Sequence, residues 1–269
     1  MPVEWIIPAA RGAYNNRQVA LSTWEKLITK ILGPKYRIGF VGPGGIGKTV
    51  LLDHMTGAAF KDGYEAPGQS RKAEAGKAKA NGSRFAVVVA PGQQSGPQIE
   101  TYNKIFDSED PIDGVVFVAG NGFVTARDEH AAEVNMSLGY DTISKWRDLN
   151  LQAELEILEE VCRLIRASKQ KSRKPKWILV AVTKVDLFYG NIEDARRYYS
   201  PHLGSEFAEK LNRLRESVGH DNLSWDATPV CSLLDSFVWG NEVVESSLSK
   251  EDRDHYLSQF VTLLGSFCR

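Results

Sequence analysis

Gly42-Pro43-Gly44-Gly45-Ile46-Gly47-Lys48-Thr49 is the stretch of this 269-residue sequence whose residue types and spacing dictate a chemistry. It satisfies the pattern G-x-x-x-x-G-K-[ST] at every fixed position. Glycines let backbone N–H groups turn inward around a polyphosphate, where a side chain would block the approach. The Lys48 ammonium can reach β- and γ-phosphates, and the Thr49 hydroxyl can ligate Mg²⁺. The pattern has this meaning only between a strand and a helix. Tyr36-Arg37-Ile38-Gly39-Phe40-Val41 reads as a short buried strand, and Val50-Leu51-Leu52-Asp53-His54-Met55 as the first turns of a helix. That helix points its positive dipole end at the same anion. The residues therefore predict a nucleoside-phosphate site built from Gly42, Gly44, Gly45, Ile46, Gly47, Lys48, Thr49 and Val50.

Other short apolar runs supply the sheet such a loop requires. Phe85–Val89, Gly114–Ala119 and Trp177–Val182 read as buried strands, and Pro229-Val230-Cys231 as a short last one. Helical periodicity appears over Asn16–Leu32, and again along Leu151, Leu155, Leu158, Val161, Cys162 and Ile165. It returns over Phe207–Val218 and behind Ser249-Lys250-Glu251-Asp252, which resembles a capping box. Between Ala58 and Arg84 the apolar pattern disappears, which predicts a mobile functional loop. Continuous apolar strands alternating with helices predict a mostly parallel sheet covered on both faces. The expected organisation is an N-terminal helical extension over residues 1–33, then one α/β nucleotide domain over 34–269. An enlarged helical insertion is expected around 121–175.

Composition narrows the setting. A net charge of −1 gives no general drive toward nucleic acid or anionic membrane. The basic run Lys169, Lys171, Arg173, Lys174 and Lys176 reads as a solvated helix end. Three cysteines, widely spaced and without C-x-x-C, predict neither a disulfide framework nor a zinc site, and fit a reducing cytoplasm. No apolar run approaches the ~18–20 residues of a membrane span, and the N-terminus lacks the charge pattern of a signal peptide.

Three further elements carry a family resemblance. Thr183-Lys184-Val185-Asp186, directly after a strong strand, resembles the [NT]-K-x-D base-recognition motif of GTPases. Ser232-Leu233 stands where Ras-like proteins place a Ser-Ala element, and Ala90-Pro91-Gly92-Gln93 looks like the D-x-x-G-Q switch element. Over residues 36–240 the chain resembles the Ras-like small GTPases of the translation-factor-related P-loop class. Its wording, with Pro-Gly-Gln and then Asp113–Val118, is similar to the bacterial gliding-motility and polarity branch. The resemblance implies a three-layer P-loop NTPase fold, GTP/GDP and Mg²⁺ as cofactors, and a protein effector or activating partner. In that motif Asp186 would read guanine N1–H and the exocyclic amine, Lys184 would stack on the base, and the Ser232–Leu233 backbone would meet guanine O6. Gly92 would sense the γ-phosphate, Gln93 would orient water, and Lys48 would stabilise charge in GTP hydrolysis.

The chain departs from that family at two places. Val89 replaces the first Asp of D-x-x-G, which holds a Mg²⁺ water in most relatives, and residues 58–100 contain no switch threonine. Ser70 is the expected substitute metal ligand beside Thr49, ahead of Ser83; Arg71 and Arg84 read as solvated loop cations first and as internal arginine fingers second. Slow hydrolysis without a partner is the expectation. The alternative is a GTP-binding scaffold with little turnover. A P-loop ATPase or kinase ranks below both, because neither Val89-Ala90 nor Val118-Ala119 ends its strand in an acid.

Overall fold

The computed structural model describes residues 36–67, 74–80, 83–91, 96–106, 111–170 and 175–267. Six strands form one sheet: β1 (Tyr36–Val41), β2 (Glu74–Ala80), β3 (Ser83–Val89), β4 (Gly114–Ala119), β5 (Trp177–Val182) and β6 (Ser224–Pro229). Their order is β2-β3-β1-β4-β5-β6. All neighbours are parallel except the antiparallel edge pair β2–β3. β4 and β5 are buried at every position, as strands covered on both faces must be.

The two faces are separate cores. Val115, Phe117 and Ala119 join the long helix α4 (Ile143–Gln170), α2 (Gly96–Phe106), α6 (Ile192–Tyr199) and α7 (Glu206–Val218) in one apolar cluster. Val116 and Val118 join α1 (Lys48–Thr56) and α8 (Lys250–Ser266) in the other. Helix–sheet–helix layering around a mostly parallel sheet is an α/β fold with P-loop NTPase-like architecture. Shorter helices α3 (Glu129–Ser137) and α5 (Val185–Phe188) complete the α-helices among the described residues. α8 opens with a true capping box: Ser249 Oγ accepts from the Asp252 N–H at 3.1 Å, and Asp252 Oδ2 accepts from the Ser249 N–H at 3.4 Å.

The structure corrects two readings of the sequence and adds one element to them. About a quarter of the expected loop between residues 58 and 84, Glu74–Ala80, is strand β2. Its run Glu-Ala-Gly-Lys-Ala-Lys-Ala shows no apolar alternation because it is an edge strand facing a close-packed helix through small residues. The last sheet strand is Ser224–Pro229, five residues ahead of the expected one; Asp226 and Thr228 break its pattern because β6 is the other edge. Finally, Phe237–Trp239 (β7) and Glu242–Val244 (β8) form a hairpin across Gly240-Asn241. The expected helix over 16–32 lies outside the described residues. Within the described residues no helix is long and apolar enough to cross a membrane.

Candidate functional site

From β1 the chain crosses to β3 on one side, and the next strand, β4, lies on the other. Ligands of open α/β sheets bind at such a reversal, outside the carboxyl ends of the strands. A cleft of about 250 Å³ opens there, lined by residues 44–50 and by Thr125, Lys184, Asp186, Ser232, Leu233 and Phe237 among others. Its floor is the loop between β1 and α1. Gly42 has φ 133°, and a Cβ on it would lie 2.2 Å from the Val118 carbonyl oxygen, so neither its conformation nor its space admits a side chain. Lys48 is buried, with Nζ donating to the carbonyls of Gly42 (2.8 Å) and Pro43. Burial pushes its pKa down to about 7, against the opposing pull of the Glu74 charge. Thr49 lies in the first turn of α1 on the cleft wall. Ile46 lends the cleft its backbone while its side chain is fully buried in the α1-side core.

The other end of the cleft is built by the segments after β5 and β6. Thr183 is 1% exposed, and its hydroxyl lies 2.7 Å from the Ile46 carbonyl and 2.9 Å from that of Ala119. It sits beneath the phosphate loop and fixes it to β4 and β5. Lys184 adopts a left-handed backbone at φ 61°, and its Nζ donates to Thr125 Oγ1 at 3.1 Å, 5.4 Å above the Phe237 ring centroid. Burial lowers its pKa to about 8, against the Asp186 and Asp235 charges. The Asp186 carboxylate is 2% exposed and receives the Cys231 thiol at 3.4 Å. Burial raises its pKa, outweighing its hydrogen bonds. Its main-chain carbonyl accepts from the N–H (3.0 Å) and hydroxyl (2.6 Å) of Ser247, which locks the segment in place. Ser232 is buried and Leu233 exposed, both on the cleft wall. The Ser232 carbonyl lies 2.6 Å from His54 Nε2 of α1, so the neutral imidazole ties this segment to the phosphate-loop helix. Burial lowers the His54 pKa to about 4.

A third segment, after β4, bridges the two ends. The Thr125 N–H donates to the Gly45 carbonyl at 3.2 Å, while its hydroxyl accepts from Lys184. α4 holds this segment from behind. Trp146 Nε1 donates to Val124 O (2.8 Å), Arg147 Nε to Asn121 O (3.1 Å), and Glu154 Oε1 accepts from the N–H groups of Gly120 and Gly122. Trp146 also stacks on Trp239 at 3.9 Å, which seats the β7–β8 hairpin and hence Phe237 at the cleft. Thr125, Phe237, His54 and Glu154 were not singled out from sequence. For Phe237 a signal existed: Phe-Val-Trp and Glu-Val-Val flanking Gly-Asn is a hairpin pattern. For Thr125 and Glu154 none did, because their roles arise from long-range packing.

The structure thus brings Lys48, Thr49, Lys184, Asp186, Ser232 and Leu233 onto one cleft, with Thr183 under it. Gly92, Gln93, Ser70 and Arg71 lie outside the described residues. Val89 is 2% exposed and packs in the α1-side core. Among the described residues no three His, Cys, Asp or Glu side chains converge to hold a metal. A cation here would need ligand oxygens beside Thr49.

No family model and no curated protein matches the sequence. Among solved structures the chain is similar to the cytosolic domain of the T. maritima FeoB iron transporter in its apo form, at 14% identity and a TM-score of 0.37. That likeness covers 73% of this chain and 57% of the FeoB domain. A likeness this small carries no weight for function, which rests on the cleft itself.

Proposed function

We propose that this chain binds guanine nucleotide with Mg²⁺ and hydrolyses GTP slowly, as a switch that a protein partner reads or accelerates. The observation that carries the reading is the convergence of the Gly42–Thr49 loop and the Lys184–Asp186 segment on one cleft. A desolvated carboxylate at the far end of a phosphate site favours a base edge that offers two N–H donors. Guanine has that edge. Adenine offers Asp186 no such pair of donors, at a cost of about 3 kcal/mol, roughly a hundredfold in affinity.

The roles of individual residues follow from where they stand. Backbone N–H groups of the loop and the first turn of α1 would receive phosphate oxygens, and Lys48 would turn toward them. Thr49 would contribute its hydroxyl to Mg²⁺, whose chemistry is to neutralise and orient the phosphates. Gln93 and Gly92 remain the expected water-positioning and γ-phosphate elements, with Ser70 as the expected switch ligand. The unit would run over 34–269, with α3 and α4 in a helical insertion around 121–175 and residues 1–33 as an extension.

Calorimetric titration of nucleotide-free protein with GDP, a non-hydrolysable GTP analogue and an ATP analogue tests the reading. Guanine-selective binding that D186N abolishes is the expected result; equal or tighter ATP binding would overturn it. One observation favours a second reading. Because Val89 is packed in the core, β3 brings no carboxylate to the phosphate end, as expected of a GTP-binding scaffold with little turnover. Stoichiometric bound GTP with no phosphate release in a single-turnover experiment would select that reading.

A further inference from the structure

The strands beside the phosphate loop end without an acid. β3 finishes in Val89, in the same buried cluster as Phe40 and Leu51, and β4 runs out through Ala119-Gly120-Asn121. A divalent cation bound with a nucleotide on such a loop draws on a hydroxyl from the loop and a carboxylate from a neighbouring strand. Thr49 offers the hydroxyl.

A carboxylate stands one strand further out. The β2–β3 register sets Glu74 opposite Val89, and opposed residues of an antiparallel pair share a face with Cβ atoms ~4.5–5.5 Å apart. That face is the α1 side. Gly76, two residues on, lies so close to α1 that a Cβ on it would be 2.9 Å from Thr56 Cγ2 and 3.0 Å from Leu52 Cδ1. Ala78, two further, is buried in the cluster with Leu51 and Leu52. Glu74, Gly76 and Ala78 therefore face α1, with Glu74 at the end beside the loop. Its charge acts on Lys48, Asp53 and Tyr64. Among the described residues its carboxylate has no hydrogen bond or ion pair. Asp53, one turn beyond Thr49, is the other acid on this flank, but the Tyr64 hydroxyl donates to its Oδ2 at 2.9 Å.

We propose that Glu74 is the acidic partner of the divalent cation bound with nucleotide here, taking the role that the ends of β3 and β4 leave unfilled. The proposal rests on the nucleotide reading above. Thr49 hydroxyl, Glu74 carboxylate and phosphate oxygens form an all-oxygen donor set, which suits Mg²⁺ or Mn²⁺ and disfavours soft metals. Because Glu74 opens β2, directly after residues 68–73, the cation would couple this edge strand to the nucleotide.

The test is a Mn²⁺ titration of the protein–GDP complex followed by electron paramagnetic resonance, with wild type, E74Q, E74D and D53N. GDP affinity in EDTA serves as the control for folding and for the nucleotide site. E74Q should weaken Mn²⁺ binding about tenfold or more, beyond any change in its own GDP affinity measured in EDTA. E74D should fall between, and D53N should stay near wild type. E74Q that binds GDP and Mn²⁺ like wild type would overturn the role of Glu74 and leave the nucleotide reading standing. So would a loss confined to D53N. Wild-type protein that binds no guanine nucleotide, with metal or without, would instead overturn the nucleotide reading and this proposal with it.

Discussion

Removing the Glu154 side chain should damage the cleft from behind, without touching any group that faces it. Glu154 is 0% exposed; Oε1 accepts from the N–H groups of Gly120 (2.9 Å) and Gly122 (3.3 Å), and Oε2 from the Tyr199 hydroxyl (2.7 Å). E154A strands three donors in a water-free interior, each worth about 1–3 kcal/mol unpaired. Part of that is recovered because a buried carboxylate is itself costly, as its burial-raised pKa records. The net expectation is about 3–5 kcal/mol of lost stability. E154Q keeps the volume: its amide oxygen can hold both N–H groups while its NH₂ turns to Tyr199, whose hydroxyl can accept. It should cost about 1 kcal/mol. Urea denaturation followed by fluorescence gives both values. Nucleotide titration under conditions where E154A is folded should show weaker binding, because the segment carrying Thr125 loses its anchor. The sign of the pH effect follows from the raised folded pKa. The contribution of Glu154 is full below the unfolded pKa near 4.5 and is lost as pH rises through the folded value; E154Q should remove that dependence. E154A within about 1 kcal/mol of wild type would refute the bracket role of α4. E154Q as damaging as E154A would show that the charge matters rather than the hydrogen-bond geometry.

Two predictions concern protons. In the free protein Lys48 titrates near 7, and bound phosphate should return it toward its ordinary value. Nucleotide binding should then take up about 0.9 proton at Lys48 at pH 8 and about 0.1 at pH 6, with affinity falling roughly tenfold per pH unit above 7. Calorimetry of wild type and K48M in buffers of different ionisation enthalpy measures the difference, and no uptake at pH 8 would refute it. His54, depressed to about 4, is neutral in the fold and charged more readily when unfolded. Stability should therefore be full above the unfolded pKa near 6.5 and fall by about 3 kcal/mol as pH drops to 4, a limb that H54F should lack. Denaturant midpoints of both proteins at pH 7.5 and 4.5 decide it.

What could be read ahead of the structure depended on whether a local signal existed. The phosphate loop was legible because its glycines, Lys48 and Thr49 lie in eight consecutive residues whose types are dictated by backbone geometry. β4 and β5 were legible because burial on both faces leaves an unbroken apolar run. β2 was not, since an edge strand against a close helix needs only Gly76 and Ala78 inward and can carry lysines elsewhere. β6 was misplaced for the same reason at the opposite edge. Thr183 was legible as a motif member but not in its part: its side chain holds the Ile46 carbonyl from below. Glu154 and His54 were silent in sequence because a buried Glu on α4 and a His on α1 look like any other members of amphipathic helices. Their meaning lies in partners 34 and 178 residues away.

The cations of the cleft are already engaged within the fold. Lys48 is held by the loop's own carbonyls and Lys184 by Thr125, and both are desolvated enough to lower their pKa. A ligand would therefore exchange contacts rather than simply add them. At the phosphate end the exchange favours the ligand strongly, because an oxyanion is a better partner for a buried ammonium than a carbonyl. At the other end Asp186, which already accepts hydrogen bonds from Cys231 and neighbouring groups, and Lys184, which has an acceptor already, would likewise exchange partners. Substituting Thr125 by valine should then free Lys184 at little cost to phosphate binding, since the Thr125 N–H still holds Gly45, while D186N removes discrimination between bases. A T125V protein that lost phosphate affinity as deeply as K48M would mean that the two ends are not held separately, and that the hydroxyl contact itself keeps the loop in shape.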